Sequence, residues 1–192
     1  VMRLQNDLSF EMQLTLEQRS NYMHTYLNNT LLCVYAYYTK LQDFAENFGQ
    51  RSYEDWVLQK TLINTQLDHI YLRLANLADR DERVCSFPQL KEAVLESITD
   101  IELRNKIEES AQNLYSNHLE KLNKDVRNQY VAHIGHEFEG AWSLFKGDKY
   151  DLPQILTEVL DYYDLLTQKK NTFPTKFGSH NLEFDMRAKL FS

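Results

Sequence analysis

The sequence predicts an all-α protein, a bundle of four to five helices, and three observations carry that reading. Apolar residues recur at steps of four and three over long stretches, and no segment alternates with period two over a useful length. Only five Gly and three Pro occur in 192 residues, too few for the closely spaced turns of a many-stranded β fold. Residues that start helices stand directly before the periodic segments: Ser52 with Asp55, Ser86 with Pro88, Asp100, and Asp151 with Pro153.

The elements follow in order. Residues Leu14 to Phe48 read as one long amphipathic helix with the stripe Leu27, Leu31, Val34, Tyr38, Leu41, Ala45 and Phe48, and Gly49 falls where a C-terminal cap belongs. A second helix starts at Ser52, carries Trp56, Ile63, Leu67, Ile70, Leu74 and Leu77, and ends near Asp79-Arg80-Asp81. A short third helix runs from Ser86 through Ile98. Asp100 caps a fourth, with Ile107, Ala111, Leu114, His118 and Leu122 on its inner face; periodicity leaves open whether it stops before Arg127 or runs on towards His133. Gly135, Gly140 and Gly147 break the next stretch into a loop. The last helix begins at Asp151 and Pro153 and carries Leu152, Ile155, Val159, Tyr163 and Leu166, with Lys169 and Lys170 in its final turn. The periodic part, residues 1–170, is read as a single all-α domain. Residues 171–192 show no period and form a C-terminal tail that can pack on it.

Composition narrows the function classes. The formal net charge is −7, acid exceeding base over the chain as a whole, so contact with RNA or DNA has to be local, dimer-built or confined to a small substrate. Cys33 and Cys85 have neither the spacing of metal ligands nor the number of a disulfide scaffold, which fits two reduced cysteines in a cytoplasmic protein. No stretch approaches the ~20 apolar residues of a membrane span, so no membrane partner is expected. No charged-then-apolar leader is expected either, although a chain that starts at Val1 leaves that end open.

The chemistry concentrates in Lys124-Asp125-Val126-Arg127-Asn128-Gln129-Tyr130-Val131-Ala132-His133. Arg127 offers a planar fork of donors to phosphate oxygens, and His133 exchanges a proton near neutral pH. Asn128 can hydrogen-bond a phosphate or fix the histidine's tautomer. Lys121, Lys124 and Arg127 step by three and form a basic stripe leading into the motif, the landing place for a phosphate in an acidic chain. His133-x-x-His136 with Glu137 adjacent contains two nitrogen ligands and a carboxylate, but a zinc site needs a clear further ligand, so no metal and no cofactor is expected. There is no glycine-rich phosphate loop, nucleophile elbow or paired-carboxylate motif.

Arg127, Asn128 and His133, with five residues between the arginine and the histidine, follow a long helix in a pattern that resembles the signature of the HEPN superfamily. Two further regions resemble its abortive-infection U-type (AbiU-like) branch: Leu72 to Asp81 with Ser86-Phe87-Pro88-Gln89-Leu90, and Phe145 to Pro153. The resemblance covers roughly residues 20 to 170. It implies a HEPN-like bundle with long antiparallel helices and a homodimer that joins two motifs. It further implies a metal-independent endoribonuclease of a toxin or phage-defence system, with RNA as substrate and an antitoxin or other protein as partner. His133 would then be the acid/base, Arg127 the phosphate clamp and Asn128 a polar helper. Other members of the superfamily lack activity, so the alternative is a non-catalytic helical module that binds a nucleotide or a protein partner.

Overall fold

The computed structural model describes residues 14–81, 86–131, 150–177 and 180–191; for 126–131, 176–177 and 180–183 it describes the course of the backbone alone. The fold is all-α. Helix α1 spans Leu16–Glu46, α2 Tyr53–Asn76, α3 Phe87–Ser97, α4 Ile101–Leu114, α5 Glu120–Val131, α6 Leu152–Thr167 and α7 Met186–Phe191. A π-helical turn, Tyr115–Leu119, joins α4 to α5, so the two make one rod from Ile101 to Val131.

Helix α1 begins at a capping box. The Thr15 hydroxyl accepts from the Gln18 backbone N–H at 3.2 Å, and the Gln18 side chain accepts from the Thr15 N–H at 2.9 Å. Its buried face is Met23, Leu27, Thr30, Leu31, Val34, Tyr37 and Phe44. The expected stripe is right at Leu27, Leu31 and Val34, and Leu41 packs at its edge, but the later positions need correcting. Tyr38 is half-buried, and Ala45 and Phe48 are exposed, because the heptad that faces the core runs through Thr30, Tyr37 and Phe44. The polar Thr30 hides that phase. Its hydroxyl donates to the Tyr26 carbonyl at 2.8 Å and accepts from Arg73 Nε at 3.0 Å, so burial leaves it satisfied. Gly49 is not the cap. Asn47 closes α1 by donating from its backbone N–H and its side-chain amide to the Asp43 carbonyl, each at 3.1 Å, and Gly49 sits inside the following 3₁₀ turn, Phe48–Gln50.

Helices α1 and α2 form an antiparallel hairpin. Phe44 packs on Trp56 at one end, and Tyr26 meets Arg73 at the other, where its hydroxyl donates to the Arg73 carbonyl at 2.8 Å. The Arg73 guanidinium lies 4.3 Å from the centre of the Tyr26 ring and donates to the Tyr26 carbonyl at 3.0 Å. Ser52 caps α2 as expected, accepting from the Asp55 N–H at 3.2 Å. Helix α6 lies in the middle. Leu152, Ile155, Leu156, Val159, Leu160, Tyr162, Tyr163 and Leu166 are all buried, a wider face than the single stripe expected. It runs antiparallel to α1: the Tyr163 hydroxyl donates to the Ser20 carbonyl at 3.0 Å, while Leu156 sits near Val34 and Tyr38.

The π turn explains why the inner face of the fourth helix shifts. Ile107, Ala111, Leu114 and Leu122 are buried as expected, but the wider turn inserts one residue, so Leu119 takes the core position expected of His118. His118 is half-buried, and its Nε2 lies 3.0 Å from the Glu158 carboxylate on α6.

The described residues of the tail, 171–177 and 180–191, are structured. Strands β1 (Pro174–Phe177) and β2 (His180–Asp185) pair antiparallel with Pro174 opposite Asp185, and α7 follows. Phe173 and Met186 are fully buried and plug this unit into the bundle, where Phe173 stacks on His24 with centroids 4.8 Å apart. Asp164 of α6 is the polar anchor. One carboxylate oxygen accepts from the Asn171 backbone N–H (2.8 Å) and side chain (2.9 Å), and the other accepts from Arg187 at 2.6 Å. Lys169 and Lys170 lie beyond the helix, which stops when Gln168 adopts a left-handed conformation, φ 53°.

Two stability predictions follow from this end of α6. Burial acts to raise the Asp164 pKa, but the hydrogen bonds from Asn171 and Arg187 outweigh it and hold the carboxyl below its ordinary 3.8. A depressed pKa contributes stability that is present above the unfolded value and is lost as pH falls through the folded one, so the anchor weakens below about pH 4. Asp164→Ala leaves Arg187 and the Asn171 amide without their acceptor. It should cost about 2–4 kcal/mol and lower Tm at neutral pH by roughly 5–15 °C in a circular-dichroism melt. A Tm difference that failed to shrink as pH drops below about 4 would show that the ionised carboxylate is not what holds the tail. Gln168→Gly, which removes the Cβ cost of the left-handed conformation, should raise Tm by about 1–3 °C.

Candidate functional site

The sequence points to the end of α5. Whether this helix breaks before Arg127 was open, and it does not: the α-helical backbone runs through Arg127 and Asn128 to Val131. His133 lies outside the described residues, as do His136, Glu137, Cys85 and the three glycines expected to break the following stretch. Lys121 and Lys124 are both exposed on α5. Cys33 is a free, half-buried thiol on α1.

Helix α5 is fixed against α2. The Asn123 side chain donates to the Ala75 carbonyl at 3.4 Å, near the C-terminal end of α2. The Tyr150 hydroxyl donates to the Asp125 carboxylate, and its ring meets Tyr71 edge-on with centroids 5.2 Å apart. Asn123 lies beside residue 75, and Asp125 reaches residue 71 through Tyr150. The motif helix therefore runs antiparallel to α2, and its end points back along it. The Asp125–Tyr150 bond also ties this helix to the residue just before the Asp151 cap of α6. Burial, and the hydrogen bond and negative charge of Asp125, push the Tyr150 phenol far above its ordinary range, so it remains a proton donor to that carboxylate at any physiological pH.

A cleft of about 1230 Å³ opens between the end of α2, α3, α4 and α5. From α5 it is lined by Glu120, Asn123 and Lys124. At 100° per residue these three positions span about 100° of the helix, and the Arg127 position falls within that sector, roughly 20° from that of Glu120. The Asn128 position lies just past its edge, one turn beyond Lys124. Across the cleft Lys91 pairs with Glu108 at 3.1 Å. The lining holds three cations, Arg80, Lys91 and Lys124, against five carboxylates, Asp79, Glu92, Glu108, Glu109 and Glu120. A polyanion would be repelled from the cleft itself; Lys121 and Lys124, in the first two turns of α5, are exposed, and Lys124 is also one of the cleft's three cations.

The sequence reading missed Tyr115 and Asp125. The Tyr115 hydroxyl is buried beside the cleft without a hydrogen-bond partner among the described residues, and burial raises its pKa beyond the physiological range. Asp125 stood in the quoted run, but its partner is 25 residues away and no local pattern announces it. Among the described residues no group of three or more His, Cys, Asp and Glu side chains is placed to hold a metal ion, and no helix is long and apolar enough to cross a membrane.

Tyr150→Phe removes the bond between Asp125 and the start of α6 while keeping the ring on Tyr71. It should cost about 1–2 kcal/mol and leave the helical circular-dichroism signal unchanged. An unaltered Tm would mean that the bond does not position α5.

No family model, curated protein or solved structure matches the chain, so the functional reading rests on its own residues.

Proposed function

We propose that this chain is a HEPN-type, metal-independent endoribonuclease of a toxin or phage-defence (abortive infection) system, acting in the cytoplasm as a homodimer with a composite site. The observation that supports this most is the unbroken course of α5. It carries exposed Lys121 and Lys124 and then Arg127 and Asn128 on one well-anchored helix that leads directly to His133.

In this reading His133 assists removal of the proton from a ribose 2′-OH. The 2′ oxygen attacks the adjacent phosphorus, an O–P bond forms, and the P–O bond to the 5′ oxygen of the next nucleotide breaks. The second His133 of the dimer, or water, returns a proton to that leaving oxygen. Arg127 stabilises the charge on the non-bridging phosphate oxygens, and Asn128 orients the phosphate or the imidazole. Lys121 and Lys124 draw the RNA strand to the helix end. The products are a 2′,3′-cyclic phosphate and a 5′-hydroxyl, and no metal takes part in this scheme.

One observation favours a second reading, a non-catalytic module that binds a nucleotide or a protein such as an antitoxin. The cleft beside α5 carries more carboxylates than cations, which suits a basic protein segment better than a nucleic acid.

Incubation of the purified chain with structured and unstructured RNAs in EDTA separates the two. Cleavage that leaves cyclic phosphate ends is expected from the wild type. It should fall by at least about 100-fold in Arg127→Ala and in His133→Ala, with helix content preserved. Equal cleavage by all three proteins would reject the assignment of these residues, and no cleavage by a folded dimer would favour the binding module.

A further inference from the structure

We propose that a second copy of this chain docks on the first half of α2, in an antiparallel, two-fold contact centred near Leu58 and Thr61. The proposal deepens the dimeric reading above by naming the surface. Its evidence is separate.

Nine large apolar side chains are exposed among the described residues, and five of them, Phe48, Tyr53, Val57, Leu58 and Leu62, fall on the turn before α2 and its first three turns. Tyr53 is 67% exposed and Leu58 54%. Phe48 is held in place by an edge-on contact with Trp56, centroids 6.1 Å apart, so this end of the stripe is a fixed surface. Apolar side chains clustered in this way on a folded surface mark an interaction site.

Charge argues for a second copy as the occupant. Of the exposed positions of α2 from Tyr53 through Thr65, Glu54 alone is charged, in a chain where 26% of residues are. Two molecules that each carry −7 repel at most orientations, and a face without charge is where they can meet. A two-fold contact presents the same patch from both sides and therefore needs a patch complementary to itself; a helix face of apolar and small polar side chains, whose one carboxylate, Glu54, falls at opposite ends of an antiparallel pair, meets that condition and also sets the helix dipoles antiparallel. The stripe runs about 20 Å along the helix. At 100° per residue Thr61 and Thr65 lie between Val57 on one side and Leu58 and Leu62 on the other, so a contact centred near Leu58 and Thr61 has small polar residues along its midline and apolar side chains flanking it, and it can form the centre of an interface approaching the ~800 Å² per partner of a stable dimer.

The location links this surface to the motif. Helix α5 runs antiparallel to α2 from the level of Ala75, so its last turns head towards the stripe. Pairing two α2 helices there sets the two α5 helices on either side of the two-fold axis, each with its last turns pointing along α2 towards it.

The test is the mass of the full chain in solution, by light scattering and sedimentation from about 1 to 100 µM, a range that covers weak interfaces of this size. Twice 22.8 kDa is expected for the wild type. Leu58→Lys with Leu62→Lys should weaken association by at least about 30-fold with unchanged helix content, since both residues are exposed. In a Cys33→Ser, Cys85→Ser background, single cysteines placed at 54, 58, 61 and 65 should cross-link between copies most strongly at 58 and 61. A wild type that stays at 22.8 kDa, a double variant that still dimerises, or cross-linking absent at these central positions would each overturn the surface. A dimer sensitive to these changes that cleaves no RNA would leave the surface standing and remove the nuclease. RNA cleavage by a monomer would do the reverse.

Discussion

Helix α6 is buried on more than one side, and that constraint decides where the other elements go. Eight of its sixteen residues are large apolar side chains closed off from solvent, more than one neighbour can cover. Helix α1 lies antiparallel along one flank. The α4–α5 rod lies antiparallel along another, with His118 facing Glu158 and Leu114 level with Tyr162. Helix α3 fills the gap, where Phe87 meets the Tyr162 ring edge-on at 5.1 Å. Once α6 is covered, α2 is held mainly by the α1 hairpin and by α5, and most of its remaining surface faces outward. The exposed stripe on α2 thus follows from the layout of the bundle.

Polar contacts fix what apolar burial leaves loose. Helices packed by leucines alone can slide by a turn at small cost, but Arg73 cannot leave Thr30 and the Tyr26 carbonyl without losing two hydrogen bonds and a ring contact. Asp164 does the same for the C-terminal unit, because each carboxylate oxygen has its own donors. Both contacts use a strong, directional partner at a half-buried site, where charge is shielded from water without being stripped of it. Tyr162 is different: its hydroxyl is buried without a partner among the described residues, and its ring fills volume in the core.

The sequence disclosed those parts of the fold that depend on local chemistry. The caps at Ser52, Asp100 and Asp151 hold because each is a contact within three residues. The stripe of α6 is real because each of its expected positions, Leu152, Ile155, Val159, Tyr163 and Leu166, is buried. Periodicity failed where a polar residue took a core place, as Thr30 does, and where the backbone changed pitch, as at the π turn that replaces His118 with Leu119. It also failed for the tail. Strands β1 and β2 are too short to show alternation, and what holds them is Asp164, a residue of another element. The candidate site divides along the same line. The helical course through Arg127 continues an inner face already readable in the sequence, whereas the Asp125–Tyr150 bond spans 25 residues and could not be read locally.

Electrostatics sets the terms for any phosphate chemistry at the end of α5. The chain carries a formal charge of −7, which the proposed dimer would double, so the wider field opposes approach of a polyanion. That field is screened over ~8 Å at physiological salt, whereas contacts between a side chain and a phosphate act within about 4 Å. A compact group of cations can therefore bind a phosphate in an acidic protein if the neighbouring carboxylates lie a screening length away or are already engaged. Glu108 is engaged by Lys91, and Asp125 accepts from Tyr150. Glu120, one turn before Lys124 on the same helix, is the exposed acid nearest the basic stripe in sequence. Its position makes α5 graded: acidic at its start beside the cleft, then basic through Lys121, Lys124 and Arg127. Under the proposed ribonuclease reading, a strand drawn to this helix would be pushed away from Glu120, towards the arginine, the asparagine and the histidine that follow one another in sequence.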